Sequence, residues 1–144
     1  MLENCTEESI QPCSIDVRLG KIFKVVGTGV LDYEHMPDVS EIKLPYVLKP
    51  NEFILATSIE KMNQTKTEHA ALFFPRSRAE RLGLLIQSGV IHPFYKGEFV
   101  FAIKNIANHK IKLSHGMGVA QLCFFDVKSN CIPLTHLYQH GKVI

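Results

Sequence analysis

The chain has 144 residues, of which 46% are hydrophobic and 21% charged, and a formal net charge of +2. That length suits one domain spanning 1–144, and the composition argues against an intrinsically disordered chain. A charge this close to zero gives no general attraction for a nucleic-acid polymer or an acidic membrane, and no run reaches the roughly 18 apolar residues of a membrane span.

In chain order, Met1-Leu-Glu-Asn-Cys-Thr-Glu-Glu is acidic and polar, unlike a secretory signal, so a cytoplasmic location without a membrane partner is expected. Short apolar runs punctuated by turn residues then dominate, which is the pattern of an all-β domain. Strands are predicted at 14–19, 22–26, 46–48, 53–58, 70–75, 84–87, 89–91, 98–105, 110–113 and 119–127, the 98–105 strand as largely buried. Residues 32–44 read as a long surface loop. Asp16 and Arg18 alternate with apolar Ile15, Val17 and Leu19, as a half-buried strand requires, and pair either with a ligand or with a neighbouring subunit.

One helix is predicted, with Ser77 as its N-cap, Glu80 completing a capping box, and Gly83 ending it. Its first N–H groups and the Ser77 hydroxyl would then face an anion. Cys5, Cys13, Cys123 and Cys131 form no C-x-x-C pair, and no disulfide framework is expected in a reducing compartment. Cys131, His136 and His140 are loosely spaced like metal ligands, but a closed zinc site takes a full tetrahedral set, so no metal site is expected.

Four stretches carry a resemblance. They are Ser14-Ile-Asp-Val-Arg-Leu-Gly20, Arg76-Ser77 with Arg81-Leu-Gly-Leu84, Gly89-Val-Ile-His-Pro-Phe-Tyr-Lys-Gly97, and Gly116-Met-Gly-Val-Ala-Gln121. In this order they resemble the dUTPase and dCTP deaminase superfamily across most of the chain. The resemblance implies a jelly-roll β-barrel with one short helix, assembled as a homotrimer with pockets shared between subunits. Position by position, it implies that Arg76, Ser77 and Gln121 bind phosphates and that Arg81 lies near the phosphates or the base. It places Tyr95 under the sugar, and the backbone around Gly89 and Ile91 against a pyrimidine edge.

Two departures bear on chemistry. His92 stands where the diphosphatases of this superfamily use an aspartate to activate water. Ala102 stands where its deaminases carry a glutamate that shuttles protons at C4. General acid–base catalysis typically contributes about 10²–10⁴-fold, and a methyl group supplies none of it. His92, with an ordinary pKa of about 6.5, remains the candidate catalytic base. The C-terminal His136-Leu-Tyr-Gln-His-Gly-Lys-Val-Ile is faintly similar to the deaminase tail, and lacks the glycine-rich arm of the diphosphatases.

The leading expectation is therefore a non-catalytic trimer that binds, and sequesters, a pyrimidine or cyclic nucleotide, for instance as a phage-encoded sponge for a signal. An active dUTP diphosphatase, or a dCTP deaminase in which Ala102 was introduced, is the alternative. A regulatory trimer that binds protein partners is a third. Magnesium would accompany a triphosphate ligand.

Overall fold

The computed structural model describes residues 2–32, 34–64, 69–128 and 139–144. Strands dominate: Leu2–Glu3 (β1), Ile15–Val26 (β2), Asp38–Ile42 (β3), Tyr46–Leu48 (β4), Phe53–Asn63 (β5), His69–Pro75 (β6), Leu84–Gln87 (β7), Lys96–Asn105 (β8), Ile111–Leu113 (β9) and Gly118–Asp126 (β10). The described residues contain a single α-helix, Ser77–Leu82 (α1), and short 3₁₀ turns at Glu7–Ser9 and Gln139–Gly141.

The main sheet runs β6-β10-β2-β5-β8-β7, with β1 added on β5 and β3 on β2, while β4 and β9 form a separate pair. All described pairings are antiparallel. The two ends of the main sheet come back together where Ala71 of β6 and Ile91, beyond β7, exchange both backbone hydrogen bonds, at 2.9 and 3.0 Å. The sheet therefore curls into a nearly closed barrel, which removes most of the exposed edge.

Alternation fills the barrel. In β8, Phe99, Phe101, Ile103 and Asn105 point inward and are buried, whereas Val100, Ala102 and Lys104 face outward. Lys104 is the one exposed residue of 98–105, so that strand is largely buried as expected, with Val100 and Ala102 half-covered. Phe73 meets Phe101 at 5.0 Å between ring centres and Phe99 at 6.3 Å, and Val17, Leu19, Ile54 and Leu122 close around them. Each such side chain contributes about 1.5–3 kcal/mol on burial.

The polar groups inside are partnered. Glu60 is fully buried and accepts from the Arg18 Nε at 2.6 Å and the Arg18 backbone N–H at 2.8 Å. Asn105 donates to the carbonyls of Leu48 and His109 and accepts from Ala107 N–H, fixing the turn that follows β8. Among the described residues, no buried side-chain nitrogen or oxygen lacks a partner.

Three local expectations change. β2 is continuous through Gly20 instead of breaking there. Residues 38–42, expected in a surface loop, pair with the outer half of β2 from Val26↔Asp38 to Ile22↔Ile42. Residues 89–91 form no strand, because the chain there makes only the single bridge at Ile91.

Candidate functional site

The expected site residues fall into two groups. The first gathers where β6 passes into α1. The Arg76 backbone N–H donates to Val119 O at 3.0 Å, which keeps Arg76 extended at φ −74°, ψ 144° and makes it the helix N-cap. Ser77 is consequently the first helical residue and not the cap, and no side-chain capping bond forms. Its hydroxyl is exposed, and a helix of six residues sums few peptide dipoles for an anion. Gly83 does end the helix in the left-handed region at φ +94°, as expected. Arg81 lies exposed in the last turn.

Arg76 is held from two sides. Its Nη2 lies 3.2 Å from the Asp16 carboxylate, which is itself buried on β2. Its Nη1 rests over Gly118, and a Cβ added there would run into it. Gln121 stands beside Asp16 in the β10–β2 register, and its Oε1 accepts from the Ser14 hydroxyl at 3.3 Å. Gln11 Nε2 donates to the same Asp16 oxygen, Oδ2, at 3.4 Å. Asp16 thus pairs within its own chain. Sequence reading left its partner open, because neither alternation nor spacing links it to Arg76.

The second group surrounds the excursion between β7 and β8. Ile91 is buried, and its N–H and carbonyl are already bonded to Ala71. Of the backbone around Gly89 and Ile91 expected to meet a base, the Ile91 N–H is used in closing the barrel. Gly89, Val90 and His92 are exposed. The Tyr95 backbone N–H donates to His92 O at 3.3 Å, forming the turn back into β8.

The Tyr95 ring stacks on Phe99 at 6.1 Å and 16°, and its hydroxyl donates to Glu98 O at 2.5 Å. Burial pushes the Tyr95 phenol up to about 12, with the Gly141 N–H opposing and Glu98 adding to the shift. Gln139 clamps the same turn: its Oε1 accepts from Lys96 N–H at 2.9 Å and its Nε2 donates to Phe94 O at 3.3 Å. Sequence reading missed this C-terminal contact, since nothing local in Gln139-His-Gly announces a docking point.

The two groups lie at opposite ends of β6. Tyr95 is tied through Gln64 to His69, at the start of that strand, and Arg76 follows its last residue, Pro75. From Ala71, where Ile91 bridges, to Arg76 is about 16 Å of extended chain. A single copy therefore does not bring Arg76 and Gln121 against His92 and Tyr95.

Ala102 faces outward between Leu55 of β5 and Gln87 of β7. Among the described residues, no three His, Cys, Asp or Glu side chains group as a metal site. Cys131 and His136 of the loosely spaced run lie outside the described residues.

Residues 1–127 match the model of a family described as dCTP deaminase-like. The chain is 36% identical over 140 residues to a dCTP deaminase, dUMP-forming, of Salinispora tropica, covering 90% of this chain and 71% of that protein. The chain belongs to the dCTP deaminase-like family. It is 35% identical over 153 residues to the protein of the same name from Kocuria rhizophila, covering 97% of this chain and 77% of that one.

Solved structures agree on the dCTP deaminase-like fold. The 2′-deoxycytidine 5′-triphosphate deaminase of Agrobacterium tumefaciens superposes with a TM-score of 0.68 at 17% identity, over 85% of this chain. This chain spans 43% of that longer one. The native EIAV dUTPase gives 0.61 at 18% identity, covering 96% of this chain and 99% of that one. Within the dCTP deaminase-like family, the superfamily resemblance and the barrel expected from sequence both stand.

Proposed function

We propose that this protein binds a pyrimidine deoxynucleoside triphosphate and converts dCTP to dUMP, the reaction for which its curated relatives are named. The observation that carries the reading is the similarity to those proteins over 90% of the chain. It displaces the non-catalytic binder as the leading reading.

In this reading Arg76, Ser77, Arg81 and Gln121 hold the phosphates. The exposed backbone at Gly89 and Val90 meets the base, and Tyr95 lines the sugar end. Because the two groups sit at opposite ends of β6, one ligand would join the Arg76 end of one copy to the turn of its neighbour. That supports a homotrimer with shared pockets. Magnesium would enter with the triphosphate, held largely by phosphate oxygens.

The reaction consumes dCTP and two waters and yields dUMP, ammonia and diphosphate. One water adds at C4 and ammonia leaves; the other adds at the α-phosphorus and diphosphate leaves. Each attack needs a group to accept a proton. His92, exposed at the turn, carries an imidazole nitrogen that could do so.

A second reading has the nucleotide held and released unchanged, and so sequestered. The outward methyl of Ala102, where the family's deaminases place a carboxylate, favours it. No feature of the fold favours a cyclic nucleotide.

One incubation separates the readings. Purified protein is mixed with dCTP or dUTP, with and without magnesium, and the nucleotides are chromatographed before and after heat-denaturing the protein. Appearance of dUMP with ammonia from dCTP supports conversion. Nucleotide that vanishes and then returns intact replaces it with the second reading. Ligand neither retained nor changed sinks both.

A further inference from the structure

The geometry points to Asp16 and Gly118 as a pair of positioning residues that fix the guanidinium of Arg76 for phosphate. The inference rests on the reading of Arg76 as a phosphate contact. An arginine on a barrel rim has several rotatable bonds, and most of its freedom must be removed before two of its N–H groups can face one anion. Here that is done from opposite ends of the fork. Asp16 takes Nη2 at 3.2 Å from a strand where its own carboxylate is buried and further bonded by Gln11. Gly118 supplies the floor under Nη1, and a Cβ there would collide with it. The three atoms nearest that added Cβ all belong to Arg76, so this side chain occupies the space at Gly118.

β10 pairs with β2 on both sides of a register shift between Gly118 and Ala120, with Gly118 opposite Arg18 before it and Gln121 opposite Asp16 after it. Within that shift, the backbone bond from Arg76 N–H to Val119 O anchors the base of the Arg76 side chain. Side chain and main chain are thus fixed by the same two strands. The remaining donors of the fork are left for a ligand, in a geometry suited to bidentate recognition of phosphate oxygens.

The test is a set of double-mutant cycles on the full chain, with binding of α,β-imido-dCTP measured by calorimetry in EDTA and again in magnesium. Arg76→Ala is expected to weaken binding by about 10–100-fold, as the loss of hydrogen bonds to a charged group does. Asp16→Ala and Gly118→Ala should each weaken it by a part of that, about 3–10-fold. In the Arg76→Ala background neither should cost anything further, because a residue that acts only through Arg76 has nothing left to act on. Gly118→Ala leaves every charge in place, so it repeats the test without altering electrostatics. Asp16→Asn, nearly the same shape, carries the cycle if the alanine variant does not fold.

Wild-type affinity in Asp16→Ala and Gly118→Ala overturns the inference, as do equal losses in both backgrounds. Tighter binding by Asp16→Ala also overturns it, since the carboxylate would then compete with phosphate for the guanidinium. A loss seen only with magnesium overturns it as well, by assigning Asp16 to the metal. If instead Arg76→Ala binds like wild type, the phosphate reading itself has failed, and the inference falls with it.

Discussion

Replacing Ala102 with glutamate asks how far the proposed deamination is slowed for want of one side chain. Ala102 faces outward on β8, opposite Leu55 and Gln87, so a longer side chain there meets no packed core. Substitutions on such a face usually change stability by less than about 0.5 kcal/mol. Lys104 projects from the same face two residues on, about 7 Å away along the strand. At that distance, in a water-like dielectric, it stabilises a carboxylate by about 0.6 kcal/mol. The new group would therefore be ionised and solvated near neutral pH, as a proton acceptor must be.

General acid–base catalysis is typically worth about 10²–10⁴-fold, and Ala102→Glu should raise the rate of uracil-nucleotide formation from dCTP within that range. The assay follows ammonia and the nucleotide products by chromatography, and records dCTP affinity in parallel. Unchanged dCTP affinity with no faster deamination would refute the argument, because the missing carboxylate would then not be what limits C4 chemistry. A wild-type chain that deaminates at the speed of the variant would refute it too, and would leave the proton transfer to another group such as His92.

Three further outcomes follow from the fold. Glu60→Ala removes a fully buried carboxylate from Arg18, which is itself about a quarter exposed and can rehydrate in part; the loss should sit at the lower end of the range for a broken buried pair, about 3 kcal/mol by denaturant melts. A loss below about 1 kcal/mol would mean the pair is dispensable. The Tyr95 phenol, pushed up to about 12 by burial, should ionise well above an ordinary tyrosine. A pKa raised in the folded state gives stability that is full below the unfolded value of about 10 and disappears as pH rises toward 12. Following tyrosinate absorbance beside unfolding in Tyr95→Phe checks it: an unaltered alkaline limb would remove Tyr95 as its cause. Gly83→Ala forces φ +94° on a residue with a Cβ and sets that atom 2.5 Å from the Ala107 Cβ, so calorimetric melting should reveal a loss of about 1–3 kcal/mol.

What local sequence could disclose was the apolar runs of long strands and the ends marked by special backbone. Phe53-Ile-Leu-Ala, Phe99-Val-Phe-Ala-Ile and Leu122-Cys-Phe-Phe mark β5, β8 and β10, and Gly83 stops the helix where a left-handed residue is needed. The misses share a cause, which is a partner distant in sequence. Asp38-Val-Ser-Glu-Ile is too polar to announce a strand, and becomes one because the outer half of β2 offers an edge to pair with. Gly20 reads locally as a break, but a side chain there would strike Ser58 O at 2.8 Å, so the glycine lets β5 pass close while β2 continues across a bulge.

Ser77 looks like a helix cap in every local respect, and it is displaced by one position because Val119 takes the Arg76 N–H. The same strand supplies Gly118 under the guanidinium, and β2 supplies Asp16 beside it. From sequence, Arg76 is a basic residue in a short motif whose direction is unspecified. In the fold its backbone, its fork and its floor are each set by a different remote residue. A motif match therefore locates the cation but leaves open whether it can meet a ligand, and it is the antiparallel register of β6, β10 and β2 that aims it.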